Sequence, residues 1–268
     1  MACSDGSVSR NTESGEGGPP DGTPHRSFRL TVEYDGTEYA GFQWQVERRT
    51  IQGELEAALA RLMKGPVRVT GAGRTDAGVH ALGQVVSFRC VTRMPVEALP
   101  AAMNALLPRD IAVASAEETE ERFNARFSAR SRVYLYVLLN RPARGALLDR
   151  FCWHWRDPLD IEAMREAGRR LVGTHDFAAW ANSGDEVRST VRTLMRCAVR
   201  PAGRFVLVMV EANAFLHGMV RNIVGTMVSV GRGKLTPDDM ERITESRCRA
   251  EAGPCAPARG LCLLRVRY

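Results

Sequence analysis

The sequence lacks long hydrophobic runs. No apolar stretch among its 268 residues approaches the ~20 that a membrane-spanning helix requires, although 44% of the residues are hydrophobic. With 25% charged and 7% aromatic residues, the composition is typical of a folded globular protein rather than of a disordered or collagenous chain. We therefore expect no membrane segment, and one large domain or two smaller ones.

The cysteines form none of the patterns that bind metals or build disulfide frameworks. The seven cysteines are scattered, contain no Cys-x-x-Cys pair and follow no secretory signal. The five histidines do not complete a cluster with zinc-ligand spacing. We predict reduced thiols, no metal site and a cytoplasmic location.

Lysine is nearly absent, since only Lys64 and Lys234 occur among the 37 basic residues. Arginine therefore dominates the formal net charge of +6, of which residues 1–27 hold −2 and the remainder +8. The planar guanidinium group donates paired hydrogen bonds to phosphates and stacks on bases. This composition suits an RNA partner.

The pattern of apolar residues divides the chain into a tail and two halves. Residues 1–27 are rich in glycine and proline without apolar periodicity, which predicts a disordered tail. Residues 28–125 read as β-α-β-β-α-β, with a helix that Thr50 caps and short strands near Val67–Val69 and at 85–90.

Residues 126–268 repeat a similar order. Strands are predicted at 133–139, 193–199, 205–210 and 264–268, with helices starting at Asp160, near Phe215 and at Thr236. The fold class predicted from both halves is α+β, ferredoxin-like or RRM-like, with largely antiparallel sheets flanking a central cleft.

The segment most suggestive of a catalytic site is the loop at 71–81. Its sequence is Gly-Ala-Gly-Arg-Thr-Asp-Ala-Gly-Val-His-Ala. It matches neither a dinucleotide-binding fingerprint nor a Walker loop, so no nucleotide cofactor is expected. If the backbone is extended, Arg74 and Asp76 lie on one side and can interact, and an oriented aspartate is a competent nucleophile or base. On local physics alone, a surface turn with an adventitious ion pair is the more common explanation.

The stretch 73–80 resembles the signature of the TruA family of tRNA pseudouridine synthases. Further stretches match this family in order at 34–37, 123–129, 171–177, 213–225 and 260–263, so the resemblance spans nearly all of 28–268. One departure is Gly41-Phe42-Gln43, where the family usually has Gly-Trp-Gln.

The resemblance implies the pseudouridine synthase fold and a cofactor-free isomerase. Asp76 would be the catalytic carboxylate, converting uridine to pseudouridine at positions 38–40 of the tRNA anticodon stem-loop. Arg221 would pair with Asp76, and Arg74 would contact the RNA and assist base flipping. The resemblance also implies a homodimer with one tRNA lying across both subunits.

Apolar and aromatic site residues follow from the same resemblance. Tyr134 would stack on the flipped uracil in preference to Tyr136, and Leu261 or Leu263 would form the opposite wall. From the alternation pattern alone, a second hydrophobic layer is the more common explanation of both tyrosines, and ordinary core packing is the alternative for the leucines. His80 and His217 lie in family motifs, and we interpret both as structural or RNA-contacting.

Arginines interleave with aromatic residues between 122 and 132. We predict that Arg126, Arg130 and Arg132 belong to a basic track for the RNA backbone, although such a run is commonly a solvated face. Three other functions are compatible with the sequence: a related synthase acting at another RNA position, a non-catalytic RNA-binding protein, and a glycosylase that releases uracil.

Overall fold

One sheet of ten strands crosses the described part of the chain, residues 25–182 and 188–268 of this computed structural model. The strands are β1 (His25–Tyr34), β2 (Thr70–Gly71), β3 (His80–Val91), β4 (Ile111–Thr119), β5 (Ser131–Asn140), β6 (Trp153–Trp155), β7 (Gly173–Asp176), β8 (Val191–Ala202), β9 (Phe205–Ala212) and β10 (Leu261–Arg267). Their order is β4-β1-β3-β10-β5-β9-β8-β7, with β2 paired to β3 and β6 to β5.

Helices pack against this sheet where the apolar periodicity predicts them. They are α1 (Ile51–Met63), α2 (Leu99–Asn104), α3 (Ile161–Arg170), α4 (Met219–Gly231) and α5 (Asp239–Ser246). The Thr50 side chain accepts a hydrogen bond from the Gly53 amide, and Asp160 caps α3 in the same way through Ala163. From β1 to β4 the elements follow the order β-α-β-β-α-β, which confirms the order predicted for the first half.

The strand β10 joins the two halves into one sheet. It pairs in parallel with β3, where Cys262 lies opposite His80, and antiparallel with β5, where Leu263 lies opposite Tyr134. The predicted α+β class and largely antiparallel pairing are confirmed. The expectation of a separate sheet in each half is wrong, because β10 pairs with β3 of the first half and with β5 of the second. The division into domains 28–125 and 126–268 stays a prediction.

Several predicted boundaries move. Strand β1 begins at His25, inside the stretch predicted as a tail, and the rest of that tail lies outside the described residues. Val67 and Val69 are buried in the core without forming a strand, and pairing starts at Thr70. Helix α4 starts at Met219 rather than near Phe215, because Gly218 precedes it with φ +70°. Strands β6 and β7 are too short to show an alternating pattern.

A continuous hydrophobic core lies beneath both halves of the sheet. It includes Phe28, Leu55 and Met103 from the first half, and Leu138 and Ile223 from the second. Within 25–182 and 188–268, no helix is long and apolar enough to cross a membrane. The shared core holds the loop after β2 and the start of α4 in fixed positions relative to each other.

Candidate active site

A cleft of about 940 Å³ opens between the loop after β2 and the start of α4. Both halves of the chain contribute to its walls. The polar and ionisable side chains that line it include Arg74, Asp76, Arg126, Tyr134, Arg192, His217 and Arg221, and Leu261 lines it as well. The structure therefore brings most of the predicted site residues into one cavity.

Asp76 and Arg221 form an ion pair inside this cleft. Arg221 Nη1 donates to Asp76 Oδ2 at 3.0 Å, across 145 residues of sequence. Arg221 Nε also donates to the Ala256 carbonyl at 2.7 Å, so the guanidinium group is held at two points. The Asp76 and Arg221 side chains are 22% and 20% exposed, so the pair is partly shielded but remains open to a substrate.

Close backbone packing brings Arg221 to this position. Gly225, one turn further along α4, lies against the Pro254 carbonyl, and a Cβ atom at Gly225 would overlap it. The Ala256 amide donates to the Arg221 carbonyl at 3.1 Å. A glycine is needed in α4 because the segment before β10 runs directly against the helix backbone.

Arg74 lines the cleft but does not pair with Asp76. Its Nε donates to Gln43 Oε1 at 3.0 Å, and Gln43 in turn donates to Gln52 Oε1 at 2.9 Å. The expected local interaction between Arg74 and Asp76 is wrong, because each side chain has a partner from a distant segment. Arg74 is left exposed at the rim of the cleft.

The Gly41-Phe42-Gln43 segment holds the Asp76 loop from outside. The Phe42 amide donates to the Thr75 carbonyl at 3.0 Å. Gly41 has φ +105°, and a Cβ atom there would lie 2.7 Å from the same carbonyl. Phe42 is buried against Gly71, so replacing the family's usual tryptophan changes packing beside the loop rather than a group that reaches Asp76.

Tyr134 and Tyr136 share a face of β5 but have different environments. Tyr134 lines the cleft, where its ring meets Phe215 edge-on at 5.1 Å between centroids. Tyr136 is enclosed in the core and donates to the Pro257 carbonyl at 2.8 Å. The structure therefore places Tyr134 rather than Tyr136 at the cleft, and stacking of Tyr134 on a base stays a prediction.

A phenylalanine at position 134 is expected to keep most of the activity. Burial raises the pKa of Tyr134 well above its ordinary value, so the phenol stays neutral near pH 7. We expect Tyr134→Phe to retain turnover within ~10-fold and Tyr134→Ala to lose ~10² or more, because stacking on a base needs only the ring. Single-turnover rates at saturating enzyme measure both; equal losses in the two variants would contradict a stacking role.

Leu261 and Leu263 also occupy different environments. Leu261 lines the cleft, whereas Leu263 is fully buried and is not among the cleft-lining residues. The prediction that includes Leu263 in the site is not supported by its position. Both side chains lie on the same face of β10, but only the start of the strand reaches the opening.

The predicted arginine track is divided by the structure. Arg126 lines the cleft, with its guanidinium group 5.4 Å from the Phe127 ring centroid. Arg130 is exposed and is not among the residues that line the cleft. Arg132 also lines the cleft, but it is only 8% exposed and its guanidinium nitrogens all donate to backbone carbonyls, which leaves no N–H donor for an RNA phosphate.

Sequence reasoning missed three contributors to the cleft. His217 Nε2 lies 3.6 Å from Asp76 Oδ1, although we expected only a structural or RNA-contacting role. Its place in the 213–225 motif, four residues before Arg221, is the signal that could have identified it. Phe215 belongs to the same motif, whereas Arg192 comes from the start of β8 without any distinguishing pattern.

Over the ranges 25–182 and 188–268, no three histidine, cysteine or carboxylate side chains cluster in a way that could hold a metal ion. His80 is buried near the Asp35 turn, where its Nδ1 accepts from the Gly36 amide at 3.0 Å, which matches the structural role expected for it.

A central cleft across a mixed sheet, with an arginine-held aspartate and a tyrosine beside it, is the arrangement expected of a pseudouridine synthase. The family model described as tRNA pseudouridine synthase matches residues 30–128 and 167–268. The chain therefore belongs to the tRNA pseudouridine synthase family, whose members are isomerases acting on uridine in tRNA, and the predicted enzyme class is confirmed.

Curated relatives named tRNA pseudouridine synthase A align with this chain over nearly their whole length. The tRNA pseudouridine synthase A of Thermoanaerobacter sp. (strain X514) is 43% identical over 91% of this chain and 100% of its own. Those of Moorella thermoacetica and Geobacter sulfurreducens are each 45% identical, over 90% and 91% of this chain and 99% and 100% of their own. Among solved structures, the crystal structure of a Cbf5-Nop10-Gar1 complex matches at a TM-score of 0.31 and 13% identity, over 75% of this chain and 54% of that one.

Proposed function

We propose that this enzyme converts uridine to pseudouridine at positions 38–40 of the tRNA anticodon stem-loop, with Asp76 as the catalytic carboxylate. The observation that carries the proposal is the 3.0 Å contact between Arg221 and Asp76 inside the 940 Å³ cleft. Among the described residues that line the cleft, Asp76 is the only one with a carboxylate.

The reaction requires an oriented carboxylate rather than a cofactor. It breaks the N-glycosidic bond, turns the uracil and rejoins it through carbon 5, so no electrons or phosphoryl groups are transferred. Asp76 can add to the sugar or remove its 2′ proton, and in both cases one carboxylate oxygen must face the sugar. Arg221 donates to Oδ2, so we assign that role to Oδ1, which lies 3.6 Å from His217 Nε2.

The cleft has the size and lining to hold a flipped nucleotide. Its volume of about 940 Å³ lies within the ~300–1,000 Å³ typical of ligand sites. Chemistry at the glycosidic bond requires the base to leave the RNA stack. Tyr134 and Leu261 offer the aromatic and apolar surfaces for the uracil, and Asp76 lines the same cavity.

Exposed arginines at the rim suit the flanking phosphates. Arg74 and Arg126 line the cleft and are exposed, and Arg192 also lines it. Each arginine that neutralises a phosphate releases condensed counterions, so binding should weaken steeply as salt rises. These three side chains are the RNA-binding residues that we propose.

The target position can be tested with unmodified tRNA transcripts containing 5-tritiated uridine. Forming the new bond at carbon 5 expels that hydrogen, so tritium release counts the converted uridines. We expect release to fall in steps when the uridines at 38, 39 and 40 are replaced, with compensating changes where the position is base-paired. Unchanged release would place the target elsewhere, free uracil would indicate a glycosylase, and RNA binding without release would indicate a non-catalytic protein.

A homodimer and a cytoplasmic location are further parts of the proposal, and both rest on the family resemblance. A dimer lets one tRNA contact two subunits, which would double the arginine surface facing the RNA. Light scattering after size-exclusion chromatography is expected to give twice the chain mass of 29.6 kDa. A monomeric mass at micromolar protein would contradict the dimer, and cell fractionation tests the location.

A further inference from the structure

Arg132 is a buried arginine whose hydrogen bonds all go to backbone carbonyls. Its Nε and Nη2 donate to the Ala72 oxygen at 3.1 and 2.7 Å, and Nη2 also donates to Arg126 at 2.6 Å. Nη1 donates to the Ala129 and Asn213 oxygens at 3.3 and 2.7 Å. A guanidinium group has five N–H donors, and these contacts use all of them.

The carbonyls belong to three segments that form the cleft. Ala72 opens the loop that carries Asp76, and Asn213 opens the segment that leads through His217 to Arg221 in α4. Arg126 and Ala129 belong to the loop at the arginine-rich rim. These partners are distant in sequence, with Ala72 separated from Arg132 by 60 residues and Asn213 by 81.

The rest of the Asp76 loop is held by side chains that do not reach the other segments. Gln84 is fully buried and donates to the Gly73 carbonyl at 2.8 Å. The Tyr34 hydroxyl lies 2.8 Å from Thr75 Oγ1. Arg132 differs from both because the same group that holds the loop also holds the approach to α4.

Burying a cation on carbonyl groups alone is costly. Burial lowers the pKa of Arg132, as expected when a charge leaves water. Among the described residues, no carboxylate lies within ion-pair distance of Arg132, and the nearby Glu211 bonds Ser131 and pairs with Arg267 instead. An apolar residue would avoid this cost, so the retained guanidinium group points to a geometric role.

We propose that Arg132 is a positioning residue for the isomerisation. It sets the distance between the Asp76 loop and the start of α4, so that Asp76 and Arg221 meet at the geometry the reaction needs. The inference rests on the proposed catalytic role of Asp76. Arg132 itself does not touch the RNA.

The test is Arg132→Lys, measured by tritium release under single-turnover conditions and by tRNA binding at several salt concentrations. Lysine keeps the charge, but one ammonium group cannot reach three segments. We expect the rate at saturation to fall ~10²-fold, as for a misplacement of about 1 Å. The Kd for tRNA should change less than ~2-fold, with the same salt dependence.

Arg126→Lys and Arg126→Gln are the matched comparisons. Because Arg126 lies at the exposed rim, we expect Arg126→Gln to weaken binding and to lower the slope of log K against log salt by about one, while Arg126→Lys keeps the slope. If Arg132→Lys behaves like Arg126→Gln, or keeps the full rate, the positioning role is overturned. A rate loss without a binding loss supports it.

Folding and catalysis are separated by two further measurements. Thermal unfolding establishes a temperature at which each variant is folded, and Arg132→Gln replaces Arg132→Lys if the lysine variant unfolds. In a double-mutant cycle with Arg221→Gln, the combined rate loss should be well below the product of the single losses, whereas full multiplicativity would contradict action through that pair. Asp76→Asn in the same assay keeps the outcomes distinct: an active Asp76→Asn enzyme refutes the proposed function, while an inactive one beside a normal Arg132→Lys enzyme refutes only the positioning role.

Discussion

Replacing Asp76 with asparagine is expected to lower the single-turnover rate of pseudouridine formation by more than ~10⁴-fold. The asparagine amide has nearly the shape of the carboxylate and can still accept from Arg221 Nη1, so the cleft should keep its form. A neutral amide can neither add to the sugar nor accept its 2′ proton. Tritium release from 5-tritiated tRNA measures the rate, and a filter-binding titration checks that tRNA still binds.

Asp149→Asn is the matched control for this variant. Asp149 also pairs with an arginine, because Arg259 Nη1 lies 3.2 Å from its Oδ2, but neither residue lines the cleft. We expect the rate of Asp149→Asn to equal that of the unaltered enzyme. An Asp76→Asn enzyme that keeps more than about a hundredth of the rate would show that another group performs the chemistry.

Arg221→Gln is expected to lower the rate by ~10² to 10³-fold with little change in tRNA affinity. The substitution removes the bond to Asp76 Oδ2 and the bond from Nε to the Ala256 carbonyl, so the carboxylate loses the partner that aims it. Arg221→Lys should be similarly impaired, because one ammonium group cannot satisfy both Asp76 and Ala256. Rates at saturating enzyme, compared with the Kd for tRNA, separate aiming from binding.

Arg259→Gln controls for the loss of an arginine from a comparable pair outside the cleft, and it should leave the rate unchanged. A loss for Arg221→Gln that lies entirely in tRNA affinity would instead make Arg221 an RNA-binding residue. A loss below ~5-fold would mean that Asp76 keeps its orientation through other contacts, such as His217, whose Nε2 lies 3.6 Å from Asp76 Oδ1.

Local sequence patterns predicted the elements whose causes are local. The Thr50 cap, the helix start at Asp160 and the order of the first half depend on neighbouring residues, and all are found in the structure. Boundaries moved where a distant contact decided them, as at Val67 and Val69, which are buried without a partner strand. Alternation reports which residues are buried but not whether another strand pairs with them.

The alternation pattern could not show which member of a similar pair reaches the cleft, and only the family resemblance favoured Tyr134 over Tyr136. Tyr134 and Tyr136 lie on one face of β5, as predicted, yet only Tyr134 lines the cavity. Leu261 and Leu263 divide in the same way, and among the arginines Arg132 is buried while Arg126 is exposed. A period of two specifies a face of the sheet, whereas what covers that face depends on segments distant in sequence, as with Phe215 beside Tyr134.

The sequence by itself determined the family, the loop that presents Asp76 and the arginine-rich character of the chain, because these depend on the order and chemistry of the residues alone. Only the tertiary structure decided that β10 joins two halves into one sheet. It also gives the geometry of the pair that the resemblance implied, with Arg221 Nη1 3.0 Å from Asp76 Oδ2 across 145 residues, and it shows Arg132 donating to backbone carbonyls. Contacts between distant segments arise from packing of the whole core, which no local pattern encodes.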